Sequence, residues 1–120
     1  MMDNDRNRDL KERTMAFALA IIRAYAGLPK GTVAQVLGKQ ALRAGTSVGA
    51  NYREASRARS PAEFAAKVGD CLKEIEETEY WLELLLRSGT IPAPSLDPLR
   101  EETRQLNAIL TSIHKKVRNP

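Results

Sequence analysis

A chain of 120 residues has the length of one domain, enough for a real core with little surplus. Apolar residues make up 42% of it and aromatics only 5%, which suits helices packed through leucine, isoleucine and alanine. No apolar run approaches the roughly 18 residues of a membrane span, the charged start from Met1 to Glu12 has no signal-peptide pattern, and the single cysteine, Cys71, excludes an internal disulfide. A cytoplasmic protein is expected. The net charge of +4 is modest, but it is unevenly spread. Residues 31–60 hold Lys39, Arg43, Arg53, Arg57 and Arg59 against Glu54, whereas residues 61–90 are dominated by glutamate. Such opposite signs suit helices, or subunits, that meet through their flanks.

Residues 1–8 are polar and are expected to be frayed or disordered, leaving 9–118 as a single domain. From about Arg8, Leu10, Thr14, Phe17, Ile21, Tyr25 and Leu28 recur three or four apart, the pattern of one buried helix face. Gly27 and Pro29 end that helix, and Thr32 is a candidate N-cap for the next. The second helix, about Val33 to Arg57, carries the stripe Val33, Leu37, Ala41, Ala44, Val48, Tyr52 and Ala55. Its middle, Arg43-Ala-Gly-Thr-Ser-Val-Gly-Ala-Asn51, has two glycines where each should cost about 1 kcal/mol of helix propensity relative to alanine. Small residues there predict close approach of a neighbouring backbone.

Ser60-Pro61 followed by Glu63 reads as an N-cap, a first-turn proline and a capping-box glutamate. The third helix then runs to about Ser88 and is closed by Gly89, with Phe64, Val68, Ile75, Leu82 and Leu85 on its seam and Gly69 available to face the glycine patch. Residues 90–98 contain three prolines and are expected not to be helical throughout, with Asp97-Pro98 as the cap of a last helix bearing Leu99, Thr103, Leu106, Leu110, Ile113 and Val117. The fold class that follows is all-α, an antiparallel up-down-up-down four-helix bundle.

Chemistry is sparse. His114 is the one histidine, no Glu-x-x-His pair exists, and Gly45-Thr-Ser-Val-Gly49 lacks the lysine of a phosphate loop and lies within a helix. Cys71 has no local histidine and reads as a buried, inert thiol. No catalytic, metal or cofactor site is expected, and the protein reads as a non-enzyme. Ser47, Asn51 and Glu54 share one face of the second helix and could meet Glu74, Glu77 and Thr78 of the third in a structural polar network, with Asn51 bonding one of the three and Arg43 or Arg57 satisfying a carboxylate; solvent exposure of the same residues is the alternative. Tyr80, Trp81 and Leu84 point large apolar groups away from a simple stripe and are expected at an oligomer interface.

The stretch Arg43-Ala-Gly-Thr-Ser-Val-Gly-Ala-Asn-Tyr-Arg-Glu-Ala55 with Ser60-Pro-Ala-Glu-Phe64, followed by Lys73-Glu-Ile-Glu-Glu-Thr-Glu-Tyr-Trp-Leu-Glu-Leu-Leu85, resembles the bacterial four helix bundle protein family, also called the ribosomal-RNA intervening-sequence protein family. The resemblance runs from about Phe17 to Val117. Many members have Ala-Glu-Gly after the asparagine region, where this chain has Arg53-Glu54-Ala55. Relatives include the accessory protein of diversity-generating retroelements, a pentameric barrel that binds nucleic acid and reverse transcriptase. The resemblance therefore implies a homopentamer, an RNA or DNA surface, and a partner protein such as a reverse transcriptase. Phosphate contacts are expected from Lys39, Arg43, Arg53, Arg57, Arg59, Lys115, Lys116 and Arg118. The competing expectation is a structural or protein-interaction scaffold with no nucleic-acid role.

Overall fold

The computed structural model describes residues 4–118, which form four α-helices: α1 (Asn4–Ala26), α2 (Thr32–Ser56), α3 (Pro61–Arg87) and α4 (Ala93–Arg118). Each packs on its chain neighbour, and α4 returns to α1, giving the up-down-up-down bundle; α1 and α3 stand on the diagonal. The rod is 46 Å long and 21–22 Å across. Its core is aliphatic, built from Leu10, Phe17, Ile21, Val48, Val68, Ile75, Leu82, Leu106 and Leu110, with Tyr52 the largest fully buried side chain. Three buried threonines, Thr14, Thr78 and Thr103, donate to the carbonyls of Leu10, Glu74 and Leu99 four residues back, so their hydroxyls are satisfied within their own helices.

The glycines of α2 face α1. A Cβ built on Gly38 would fall 2.3 Å from Leu28 Cδ1, one on Gly45 2.7 Å from Ile21 Cγ1, and one on Gly49 3.2 Å from Thr14 Oγ1. Residues ascending along α2 meet residues descending along α1, the signature of an antiparallel pair drawn tight by absent side chains. At one end of this seam Tyr25 donates to Gln35, which donates in turn to the Pro29 carbonyl. At the other, the buried Tyr52 hydroxyl donates to Asn7 Oδ1 at 2.8 Å.

That last bond explains a boundary the sequence misplaces. Helix α1 starts at Asn4, within the stretch expected to be frayed, because Asp5 favours the amino end of the helix dipole, pairs with Arg8, and lies one turn before the buried Leu10. Residues 1–3 lie outside the described residues. The proline-rich segment also differs. Helix α4 begins at Ala93, six residues ahead of Leu99, and Pro98 is inside it rather than at its start. Pro94 sits in the first turn, where its missing N–H would have no intrahelical partner, and burial of Leu96 and Leu99 holds the turn despite the hydrogen bond that Pro98 cannot make.

Other local readings are corrected too. Gly31, not Thr32, is the N-cap of α2, and no side chain caps it. Val33 is 60% exposed, its place on the buried stripe being taken by Ala34 and Gly38. Gly69 does not face the α2 glycines; its open side is covered by the imidazole of His114 on α4. Ser60 caps α3 as read, accepting from the Glu63 amide at 3.0 Å, while Glu63 accepts from the Arg59 amide. Gly89, at φ +75°, ends α3 in the left-handed region that favours glycine.

Candidate nucleic-acid interface

An antiparallel bundle places the start of α1, the end of α2, the start of α3 and the end of α4 at one pole. Cutting each helix near its middle, the half containing residues 4–15, 44–74 and 106–118 holds twelve lysines and arginines against seven acids; the half containing 16–43 and 75–105 holds seven of each. The whole excess of positive charge among the described residues thus lies toward one end of the rod. Three basic side chains, Lys115, Lys116 and Arg118, close the last turns of α4 there, where cations also complement the carbonyl end of the helix.

The eight expected phosphate-binding residues divide accordingly. Arg53, Arg57 and Arg59 at the end of α2 share this pole with Lys115, Lys116 and Arg118. Around the α2–α3 turn, Arg57 and Arg59 line an open polar hollow of about 600 Å³ with Glu54, Glu63 and Lys67. Lys67 donates to Glu54 at 3.0 Å, and that bond raises the lysine above its ordinary pKa. Lys39 lies in the other half of α2. Arg43 is also set apart, because its guanidinium donates to Glu77 at 2.6 Å and to Glu74 at 3.2 Å, holding the Glu77 carboxyl below its usual range. A charge engaged in that way is a tie between α2 and α3 rather than a free phosphate contact.

Sequence reading missed the contribution of α1. Arg6, Arg8 and Lys11 reach the same pole once the first helix is seen to begin at Asn4. The signal was present in the up-down topology itself, which obliges the first turns of α1 to stand beside the last turns of α4. It was hidden by reading residues 1–8 as frayed.

The expected polar network is only partly assembled. Arg43 joins Glu74 and Glu77, Glu54 joins Lys67, and Thr78 is buried. Ser47 instead donates back to the Arg43 carbonyl. Asn51 is half-buried and makes no hydrogen bond to Glu74, Glu77 or Thr78, so it is not the centre of a network within the protomer. Cys71 is fully buried against the Val48 carbonyl, and burial pushes its thiol up to about 12. No group of three or more His, Cys, Asp or Glu able to hold a metal ion occurs among the described residues, and no described helix is long and apolar enough to cross a membrane.

Of the proposed interface residues, Tyr80 is 57% exposed, while Trp81 and Leu84 are half-buried. The two rings meet edge to face with centroids 5.1 Å apart, and the Trp81 indole N–H is buried without a hydrogen-bond partner. A second opening lies between α1 and α4, a groove of about 480 Å³ floored by Ala16, Phe17, Ala20 and Leu99. Arg13 spans this seam, donating through Nε and Nη2 to Glu102 at 2.8 Å each and to Gln105 at 2.6 Å.

No curated protein shows significant similarity to the chain. A crystal structure of a protein of unknown function from the S23 ribosomal protein family, from Bacteroides thetaiotaomicron VPI-5482, is 40% identical, with a TM-score of 0.85 over 91% of this chain and 97% of that one. The sequence pattern of the 23S rRNA-intervening sequence protein family matches residues 6–112, nearly the whole bundle with both glutamate-rich and glycine-bearing helices, and the chain belongs to that family.

Proposed function

We propose that this chain is a non-catalytic, self-associating module of the cytoplasm that holds RNA or DNA by phosphate contacts at its basic pole. The observation that carries this reading is the polarity of the rod, twelve cations against seven acids in one half and an even balance in the other. Phosphate binding needs positive charge gathered on one surface, and confers affinity without reading bases. A closed ring of five copies, as the resemblance implies, would repeat the pole around one rim. A reverse transcriptase or similar enzyme could then be held beside the bound strand.

Binding of a labelled structured RNA, followed as salt is raised, tests the proposal. Wild-type affinity should fall steeply with salt, and Arg57→Ala with Arg59→Ala should lower the log–log slope by about 2, close to one for each phosphate no longer neutralised. Lys39→Ala should leave the slope unchanged. Absence of binding at low salt discards the nucleic-acid role and leaves the scaffold reading.

A further inference from the structure

The groove between α1 and α4 lies in the half of the rod whose charges balance, away from the basic pole. It follows α1 from Ala16 to Ala24, a rise of about 12 Å. The buried Phe17 and Leu99 form its floor, and Ala16, Ala20 and Pro98 its sides. Toward the loop after α1 it runs into a second hollow of about 340 Å³, walled by Leu28, Ile91, Pro92 and Leu96. Arg23, Ala24 and Ser95 border both openings, so these residues stand where the two meet. Several hundred cubic ångströms of mainly apolar wall with a few polar groups is the usual form of a small-ligand site.

The polar groups on the main groove are Arg23, Ser95 and Glu102. Glu102 is already answered, because Arg13 donates to both of its carboxylate oxygens at 2.8 Å. Arg23 has no ion pair and the Ser95 hydroxyl no hydrogen bond among the described residues. The chain contains no acidic residue from Arg13 to Arg53. On α4, Glu101 is paired with Arg104, and Asp97 is exposed and does not border the groove. One end of an apolar trough therefore carries a cation and a hydroxyl with nothing to bind, and the other is closed by a neutralised ion pair. Charge complementarity calls for an occupant with one negative head and a short apolar body.

We infer that this groove binds a small amphiphilic carboxylate of the medium-chain fatty-acid class. The head accepts from Arg23 and Ser95, and the tail lies along Ala20 and Ala16 over Phe17 and Leu99. Glu102, with Arg13 fixed to it, bounds the length of tail that stays on apolar wall. The site is separate from the basic pole and depends on neither the nucleic-acid nor the self-association reading.

The test titrates octanoate, and octanol as its uncharged counterpart, into the isotope-labelled protein and follows the backbone amide resonances. Octanoate should shift Ala16, Ala20, Arg23 and Leu99 saturably, with octanol binding about tenfold more weakly. Arg23→Ala should weaken octanoate about tenfold and make the two ligands equal, since only the charged head loses a partner. Ala20→Leu, which fills the groove, should abolish binding of both, with circular dichroism checking that the helices are kept. Equal affinity of the wild type for octanoate and octanol overturns the assignment, as does undiminished binding by Ala20→Leu. Shifts confined to the exposed Met15, Leu19 and Ile22 overturn it too, since they would report detergent-like adsorption. Refusal of octanoate also overturns it, and a change of solution mass in Ala20→Leu would then give the groove to another copy of the chain.

Discussion

The two seams of α1 are built on opposite principles. Toward α2 the chain removes side chains, so that Gly38, Gly45 and Gly49 let Leu28, Ile21 and Thr14 press against bare backbone. Toward α4 it leaves a groove above Ala16 and Ala20, and spans the gap with Arg13 and Glu102. One seam is close-fitting; the other is looser and spanned by a partly exposed ion pair. The contrast teaches that helices of one small bundle need not be equally tolerant of change, because tolerance follows from whether a neighbour has room to move.

The sharpest way to break the comparison is to add the same bulk to both seams. Gly45→Leu would drive a side chain into three carbons of the buried Ile21, a β-branched residue with little rotamer freedom. It should destabilise the protein by about 3 kcal/mol in urea unfolding. A loss below the helix-propensity scale of about 1 kcal/mol would mean that α1 and α2 can separate freely.

A smaller effect is expected at the end of the same seam. Tyr52→Phe removes the donor to Asn7 and should cost about 1 kcal/mol, with faster amide exchange in the first turns of α1. Burial raises the Tyr52 hydroxyl from 10.0 to about 12 and the Cys71 thiol from 9.0 to about 12. In both cases the folded state keeps a proton that the unfolded state gives up. The contribution of these two groups should therefore be flat below about pH 9 and be lost as pH rises towards 12, and Tyr52→Phe should shallow that fall above about pH 10.

The smallest effect should come from Ala20→Leu, which places its bulk over the α1–α4 groove. A change within about 0.5 kcal/mol of wild type is expected, against the large loss at Gly45. Equal losses at both positions would abolish the distinction between the seams.

Much of the bundle was legible because helix periodicity and punctuation are local. Ser60, Pro61 and Glu63 mark a boundary from their own neighbourhood, and the structure places the cap where they say. The meaning of the central glycines, close approach of another helix, was legible as well. What stayed hidden depended on partners distant in sequence. Gly69 looks like Gly45 in one dimension, yet meets His114 rather than a glycine seam. Pro98 breaks a local rule and is overruled by the buried Leu96 and Leu99 on either side. Arg43 and Arg57 are equally basic as letters, but only the first is answered by two carboxylates from α3. The basic pole could be read only after four helices of similar length had been stood side by side.

Successive helices are joined by turns of only a few residues, at 27–31, 57–60 and 88–92, and every extensively packed pair consists of chain neighbours. Closing such short spans forfeits little chain entropy, and contacts of low sequence separation belong to proteins that fold in microseconds to milliseconds. The pairs α1–α2, α2–α3 and α3–α4 all join chain neighbours across such short spans, while the meeting of α1 with α4 requires the whole chain to have turned back on itself. The order of assembly is written into the path of the chain, with its loosest joint closing last.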